Sequence, residues 1–327
     1  MLAIDKPIGL SSHDVINRVR KIFSEKRVGH MGTLDPLASG VLLVCVGPAT
    51  RLNPYITMHD KRYDFTVVFG SATDTDDAEG EIIQSSSIPD EIPDPNFARS
   101  FVASLVGKQQ QIPPAFSAIK VNGERSYKAA RSGNVIQLAS RPIEIYQAEL
   151  KGVHHDLEKE FCAWDISVHV SKGTYIRSLA RDIGNALGVP AHVGALRRTH
   201  LGKLSLSSCT SLDALEHLGE AAALDPLALL GYRFVFANET QAFCVSNGSP
   251  LEVKGLKRFV CPLHSLDQGA DFCTTSQRES DEAFGEDEIV SVIINNKLAG
   301  LYRYDCADQI LKPECIFAVG VSRGKDI

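Results

Sequence analysis

The sequence has no long hydrophobic run and no cysteine pattern that would hold a metal. Near its start, Asp5 and Pro7 interrupt the apolar stretch that a signal peptide would need, and no segment approaches membrane-spanning length. The eight cysteines, at positions 45, 162, 209, 244, 261, 273, 306 and 315, form no C-x-x-C pair and no zinc-finger spacing with histidines. We therefore expect a soluble cytoplasmic protein with reduced thiols and no structural metal site.

Several common catalytic signatures are also missing. No lysine follows the glycines of GHMGTLDPLASG (residues 29–40), so this stretch is not a phosphate-binding P-loop. The same stretch does not contain the G-x-S-x-G motif of a serine hydrolase, and no second carboxylate stands at a spacing that indicates a glycosidase pair. Internal repeats and low-complexity tracts are absent as well, which argues against a solenoid or a disordered chain.

What is present is an ordinary globular composition with an uneven charge distribution. The 327 residues are 44% apolar, enough for one large domain and a smaller one. The net charge is −6, but residues 1–62, 108–135 and 172–203 carry net charges of +4, +4 and +5, whereas residues 264–290 carry −7. The three basic blocks could converge to bind a polyanion such as RNA, or they could be separate solvated surfaces.

The apolar patterns predict a mixed fold. A helix follows a capping box formed by Ser11 and Asp14, strands are predicted over residues 41–46, 63–69 and 162–170, and a second helix begins at a Thr174 cap. Because hairpin signals occur without strict β-α-β alternation, we predict an α+β fold, a largely antiparallel sheet flanked by helices.

The character of the chain changes twice after this region. We predict a large mixed domain over residues 1–205, a helical linker over 206–233 and a small β-rich domain over 234–327, with an acidic loop at 264–290. The stretch AFCVSNGSPL, residues 242–251, is interpreted as one of the strands of this last domain.

The short stretch GTLDPLASG holds a single carboxylate, Asp35, directly before a proline and a predicted core strand. An aspartate in this setting is either a turn residue, which bonds to its own backbone, or a reagent at the mouth of a site. Local sequence alone leaves both interpretations open.

Six blocks of sequence resemble the TruB-type tRNA pseudouridine synthases and occur in the family's order. They are DKPIGLSSHDV (5–15), RVGHMGTLDPLASGVL (27–42), KRYDFTVVFGSATDTDDAEG (61–80), QIPPAFSAIKVNGERSYKAAR (111–131), VSKGTYIRSLARDIG (170–184) and VGALRRTHLG (193–202). The resemblance implies a pseudouridine synthase fold with a PUA-like C-terminal domain. It implies an isomerase that flips the uridine at position 55 of the tRNA T loop into a pocket and converts it to pseudouridine.

The resemblance also implies roles for individual residues. Asp35 matches the essential aspartate of the family, Arg177 the arginine that pairs with it, and Tyr63 the tyrosine that lies against the uracil. Whether the carboxylate acts as a nucleophile or assists elimination to a glycal is left open. No cofactor is implied.

The same blocks imply a set of RNA-binding residues. The base pocket would include Tyr175 and Leu196, with Asp77 near its entrance, and His30 would occupy the space that the flipped base vacates. Phosphate contacts are expected from Lys6, Lys120, Arg131, Arg197 and Arg198. The implied partner is the tRNA T arm, with no membrane, no obligate protein partner and a monomeric state. A non-catalytic RNA-folding protein and a guide-RNA-dependent relative remain alternatives.

Overall fold

The structure is a computed structural model, and it describes residues 1–56, 60–117, 119–121, 124–126, 138–156, 158, 160–260 and 278–324. For Lys120, Val121, Glu124 and Arg125 only the backbone is described. Two large β-sheets carry most of this chain, and helices pack on them.

The first sheet contains nine strands and is antiparallel except for one pair. Its main path runs β1-β3-β12-β4-β11-β10-β7, with β2 beside β3 and β13 beside β12, and only β3 and β12 run parallel. The strands are β1 Leu2–Lys6, β2 Val28–Met31, β3 Ala38–Val46, β4 Lys61–Phe69, β7 Gly107–Gln111, β10 Arg141–Asp156, β11 Phe161–Val170, β12 Ala191–Leu201 and β13 Leu204–Ser205. Two hairpins lie outside the sheet, formed by β5 Ser71–Thr73 with β6 Ile82–Ser85 and by β8 Lys120–Val121 with β9 Glu124–Arg125.

Six α-helices are described. They are α1 Ser12–Phe23, α2 Pro95–Ser104, α3 Ile176–Ala186, α4 Leu212–Leu218, α5 Pro226–Leu230 and α6 Glu239–Ser246. Ser11 and Asp14 form the predicted capping box of α1. Within the described ranges, no helix is long and apolar enough to span a membrane.

The first hydrophobic core lies between the first sheet and its helices. Cys162, Trp164, Ile166, Val168 and Val170 alternate along β11 and are all buried, as the sequence predicted. The indole nitrogen of Trp164 donates a hydrogen bond to the carbonyl oxygen of Ile92, so its one polar atom is satisfied. This core fixes the strand faces from which the site residues project.

The second sheet contains seven strands in the order β15-β20-β19-β18-β14-β16-β17. They are β14 Phe234–Phe236, β15 Leu251–Glu252, β16 Arg258–Val260, β17 Arg278–Ser280, β18 Ile289–Ile294, β19 Lys297–Asp305 and β20 Ile310–Ser322. A second core joins side chains of β1 and β3 to those of β14, β19 and β20, and Asp225 pairs with Arg323 inside the protein at 2.9 Å. The two sheets therefore pack against each other through this shared core, and each sheet also has a hydrophobic core of its own.

The α+β prediction is confirmed, as is a β-rich C-terminal region, but three local predictions were wrong. Thr174 does not cap α3; its hydroxyl donates to the carbonyl oxygen of Ser171, and Tyr175 occupies the cap position. Residues 242–246 are helical, because a capping box between Asn238 and Gln241 starts α6. The predicted acidic loop is not a loop throughout, since residues 278–280 form β17.

Candidate active site

Asp35 lies on the connection between β2 and β3, at the end of the parallel pair of the first sheet. The amide of Ala38 donates to the carbonyl oxygen of Asp35 at 3.0 Å, which closes a turn just before β3 begins. The side chain of Asp35 is 39% exposed. The carboxylate is therefore accessible from outside while its backbone is fixed.

The segment before and at the start of α1 holds one side of this connection. The hydroxyl of Ser12 donates to the carbonyl oxygen of Leu34 and accepts from its amide, both at 2.8 Å. The amide of Gly9 donates to the carbonyl oxygen of Pro36 at 2.9 Å. Ser12 is 2% exposed, so water cannot replace its two bonds.

Arg198 on β12 holds the other side of the connection that carries Asp35. Its guanidinium donates to the carbonyl oxygens of Val41 at 2.7 Å, Gly32 at 2.9 Å and Thr33 at 3.5 Å. The adjacent β3 residue, Gly40, has φ +102°, and a Cβ there would lie 2.1 Å from the carbonyl oxygen of Arg198. Only glycine allows the two backbones to approach so closely.

Arg177 on α3 pairs with Asp35 and is itself fixed on two sides. Its Nε lies 3.0 Å from Asp35 Oδ2, and its side chain is 7% exposed. Nη1 donates to the carbonyl oxygen of Thr75 at 3.0 Å, and Nη2 donates to that of Phe116 at 2.9 Å. A guanidinium presents its donors in a rigid plane, so the two carbonyl oxygens orient Nε toward the carboxylate.

Asp77 is a second, buried carboxylate beside the same guanidinium. Its Oδ2 lies 3.6 Å from Arg177 Nη1, and the side chain is 5% exposed. Its Oδ1 accepts from the hydroxyl of Thr75 at 2.7 Å and from the amide of Glu79 at 3.1 Å. Arg177 therefore lies between an enclosed acid and an accessible one.

The aromatic and apolar residues predicted for a base pocket lie on neighbouring elements. Tyr63 on β4 is opposite Arg198, and Leu196 on β12 is opposite both Phe65 and Ala38; Tyr63 and Leu196 are buried. Tyr175 precedes α3 by one residue and lies two residues before Arg177 in the chain. Leu196 therefore pairs with the strand that follows the Asp35 connection, and Tyr175 adjoins the helix that carries Arg177.

The backbone of Tyr175 is held by one side chain that the sequence interpretation had not singled out. Gln111, 1% exposed at the end of β7, accepts from the amide of Tyr175 at 2.8 Å and donates to its carbonyl oxygen at 3.0 Å. Burial raises the pKa of the Tyr175 phenol, and Asp35 raises it further, against the opposing effect of Arg141 and Arg177. The phenol is thus kept neutral.

His30 lies on β2, where burial lowers its pKa and the charge of Arg198 lowers it further. Its Nδ1 is buried and makes no hydrogen bond to any described residue. The lowered pKa favours the neutral imidazole, so His30 adds no charge to this part of the site.

The phosphate contacts expected from Lys6 and Arg198 do not fit the structure. Lys6 is 0% exposed, and its ammonium donates to the carbonyl oxygens of Pro7 at 2.8 Å and Leu10 at 2.5 Å. Arg198 is 1% exposed. Both cations are occupied by backbone oxygen atoms in the interior, so they cannot reach a phosphate.

The other three expected phosphate contacts have different outcomes. Arg197 is 41% exposed but pairs with Asp5 at 2.8 Å, so a phosphate would have to share it. The side chain of Lys120 and the whole of Arg131 lie outside the described residues.

Ser12 and Gln111 are the functional residues that sequence reasoning missed. Both stand in the matching blocks, but a serine beside a helix cap suggests a second cap, and a glutamine at a strand end has no local signal. Only the fold shows that each satisfies backbone atoms of the site.

The arrangement combines a fixed, accessible carboxylate with a permanent cation and a largely apolar surround. The guanidinium of Arg177 pairs with Asp35, and a carboxylate is a group able to attack or to stabilise positive charge. Among the described residues, no cluster of His, Cys, Asp and Glu could hold a metal ion.

Comparison with known proteins identifies the family. The TruB family pseudouridylate synthase N-terminal domain matches residues 20–176, and the tRNA pseudouridylate synthase B C-terminal domain matches residues 177–228. The tRNA pseudouridine synthase B of Corynebacterium aurimucosum is 41% identical over 258 residues, covering 79% of this chain and 86% of the relative. The tRNA pseudouridine synthase B of Deinococcus radiodurans is 40% identical over 268 residues, which cover 74% of this chain and 85% of the relative.

Two solved structures share the fold. The archaeal box H/ACA sRNP Nop10-Cbf5 complex contains a chain with a TM-score of 0.60 and 20% identity, covering 98% of this chain and 86% of that one. The structure of an H/ACA RNP bound to a substrate RNA containing 2'-deoxyuridine contains a chain with a TM-score of 0.59 and 21% sequence identity. The match covers 97% of this chain and 84% of that one. The curated relatives support an activity on uridine in tRNA, and the chain belongs to the TruB family of tRNA pseudouridine synthases, which are isomerases.

Proposed function

We propose that this enzyme converts uridine 55 in the T loop of tRNA to pseudouridine, with Asp35 as its essential group. In this reaction the N1–C1′ bond breaks, the uracil turns, and C5 bonds to C1′ while the C5 proton is released and N1 gains one. Asp35 acts on the nucleoside, Arg177 orients its carboxylate, and Tyr63, Tyr175 and Leu196 enclose the flipped base. His30 fills the space that the base leaves.

The observation that carries this proposal is the geometry of Arg177. A guanidinium that served only the fold would be satisfied by Asp77 and the two carbonyl oxygens, yet its Nε is directed at a carboxylate that remains 39% exposed. An accessible acid next to a fixed cation is suited to meet a ligand. The apolar side chains around it suit a base removed from its stack.

The test is the substitution Asp35→Asn, assayed by release of tritium from 5-tritiated uridine in a tRNA transcript. We expect release to fall by more than a thousandfold while tRNA binding changes less than threefold. The variant should fold normally, because Arg177 keeps Asp77 and its two carbonyl partners. Asp14→Asn is the matched control, since Asp14 only caps α1. Turnover by Asp35→Asn within tenfold of the unsubstituted enzyme would contradict the proposal.

The position in tRNA is tested separately. We expect the purified chain, without guide RNA or protein partners, to modify a bare transcript at position 55, and a transcript with cytidine at that position to remain unmodified. Modification elsewhere in the second transcript, mapped by reverse transcription after pseudouridine-specific alkylation, would show that the T-loop assignment is wrong. We also propose that the enzyme acts in the cytoplasm as a monomer.

A further inference from the structure

Two lysines lie at the strand ends beside the active site. Lys61 is the first residue of β4, and on a strand it shares a face with Tyr63, two residues later. Its backbone is opposite Val170, the last residue of β11. Lys172 stands two residues beyond Val170, in the turn that leads to Tyr175 and Arg177. The fold therefore brings both lysines to the edge of the catalytic pocket.

Neither ammonium group has a hydrogen-bond or ion-pair partner among the residues that the structure describes. Asp60, the acid next to Lys61 in the chain, is already bound to Nε2 of His169 at 2.6 Å. Lys61 is half-buried and Lys172 is exposed. This contrasts with Lys6, whose ammonium is enclosed by carbonyl oxygens.

The surroundings of Lys61 are unfavourable for a free cation. Burial is the main cause that lowers its pKa to about 8; the positive charges of Arg198 and Lys172 contribute to this lowering, and Asp60 opposes it only in part. A partly desolvated cation near two others costs free energy unless an anion neutralises it. A phosphate bound between the two lysines would remove that cost.

We propose that Lys61 and Lys172 form a binding site for a phosphodiester group of the RNA strand next to the target nucleotide. This inference rests on the proposed function, since it takes tRNA as the ligand. The position suits a backbone contact, because a flipped nucleotide must bring its flanking phosphates to the rim of the pocket. Two flexible ammonium groups bind a phosphate as point charges, which positions the strand without reading its sequence.

The experiment measures tRNA binding in an Asp35→Asn background, so that turnover does not interfere. Lys61→Met and Lys172→Met are each compared with Lys151→Met, a lysine whose ammonium already pairs with Glu149 at 2.8 Å. We expect the double variant Lys61→Met/Lys172→Met to make the slope of log affinity against log salt shallower by about 0.7 to 0.9, the value for one phosphate contact, and each single variant to show part of that change. Lys151→Met should leave the slope unchanged. Slopes equal to the Lys151→Met slope in both variants would overturn the proposal.

A second measurement separates the charge of Lys61 from its packing. If Lys61 must be protonated to bind phosphate, affinity should fall between pH 7 and pH 9 and should not fall in Lys61→Arg, whose charge does not titrate. The other titratable or charged groups around Lys61 are Asp60 and Arg62 on its own segment, His169 and Lys172 from β11 and the turn after it, and Arg198 and His200 from β12. They are present in both proteins, so their contributions cancel in the comparison. An identical pH dependence in Lys61→Arg would count against the site.

The outcome is distinguishable from a failure of the proposed function. The salt slope reports binding alone, so normal slopes with an inactive Asp35→Asn would refute only the phosphate site. Shallower slopes with an active Asp35→Asn would support the phosphate site and refute only the assignment of Asp35.

Discussion

Two adjacent serines allow a matched test of how the Asp35 connection is held. Ser11 caps α1, and its hydroxyl accepts from the amide of Asp14 at 3.1 Å. Ser12 instead bonds to both backbone groups of Leu34, one residue before Asp35. Ser11→Ala and Ser12→Ala remove the same atom one residue apart, but only the second change releases the connection that carries Asp35.

The expected magnitudes follow from burial. Removing an N-cap hydroxyl costs about 1 kcal/mol of unfolding free energy. Ser12→Ala leaves an amide and a carbonyl of Leu34 without partners at a site that is 2% exposed for Ser12 and 4% for Leu34. A buried polar group left unsatisfied costs about 1–3 kcal/mol, so the two together should cost about 2–6 kcal/mol.

The assay combines urea unfolding with steady-state kinetics on tRNA. We expect Ser11→Ala to lose stability with kcat unchanged within twofold. Ser12→Ala should lose more stability and at least tenfold in kcat, because Asp35 is no longer held against Arg177. The reasoning is refuted if Ser12→Ala is as stable and as active as Ser11→Ala, since that would mean that the two hydrogen bonds to Leu34 do not position Asp35.

Two further outcomes are expected from the residues around the site. Gln111→Met keeps the side-chain volume but loses both hydrogen bonds to the backbone of Tyr175. We expect this variant to lower kcat at least tenfold, with a smaller change in KM, when tritium release is measured. An unchanged kcat would show that α3 holds Tyr175 without Gln111. Burial lowers the pKa of Lys6 to about 8 from 10.5, so between these values the unfolded chain binds a proton that the folded chain has lost, and stability should rise with pH. Urea unfolding at pH 7.5 and 9.5 should show this rise relative to Lys6→Met. No rise relative to Lys6→Met would mean that folding does not lower the pKa of Lys6.

The sequence predicted the elements better than the contacts between them. Period-two alternation in β11 and the capping box of α1 are local signals, and the structure contains both elements. The pairing of Asp35 with Arg177 joins residues far apart in the chain, and no spacing rule connects them. It was expected only because of the family resemblance.

The wrong predictions have a common physical origin. The charge of Lys6 or Arg198 is visible in the sequence, but whether that charge faces water or backbone carbonyl oxygens depends on tertiary packing. Residues 242–246 are apolar enough for a strand, and a helix forms because Asn238 and Gln241 satisfy its first amides. In both cases hydrogen bonds of the backbone decided the outcome.

This changes how the basic blocks should be interpreted. Of the six cations in residues 172–203, Arg177 and Arg198 donate to backbone carbonyls of the site, while Arg181 pairs with Asp76 and Asp182 and Arg197 pairs with Asp5. Within the described part of the chain, only Lys172 and Lys203 of that block have no such partner. Arg177 and Arg198 therefore hold Asp35 and its connection, and because both guanidinium groups are buried, salt screens their contacts weakly. A salt dependence of RNA binding should accordingly arise from few side chains, while the geometry of Asp35 should not depend on salt.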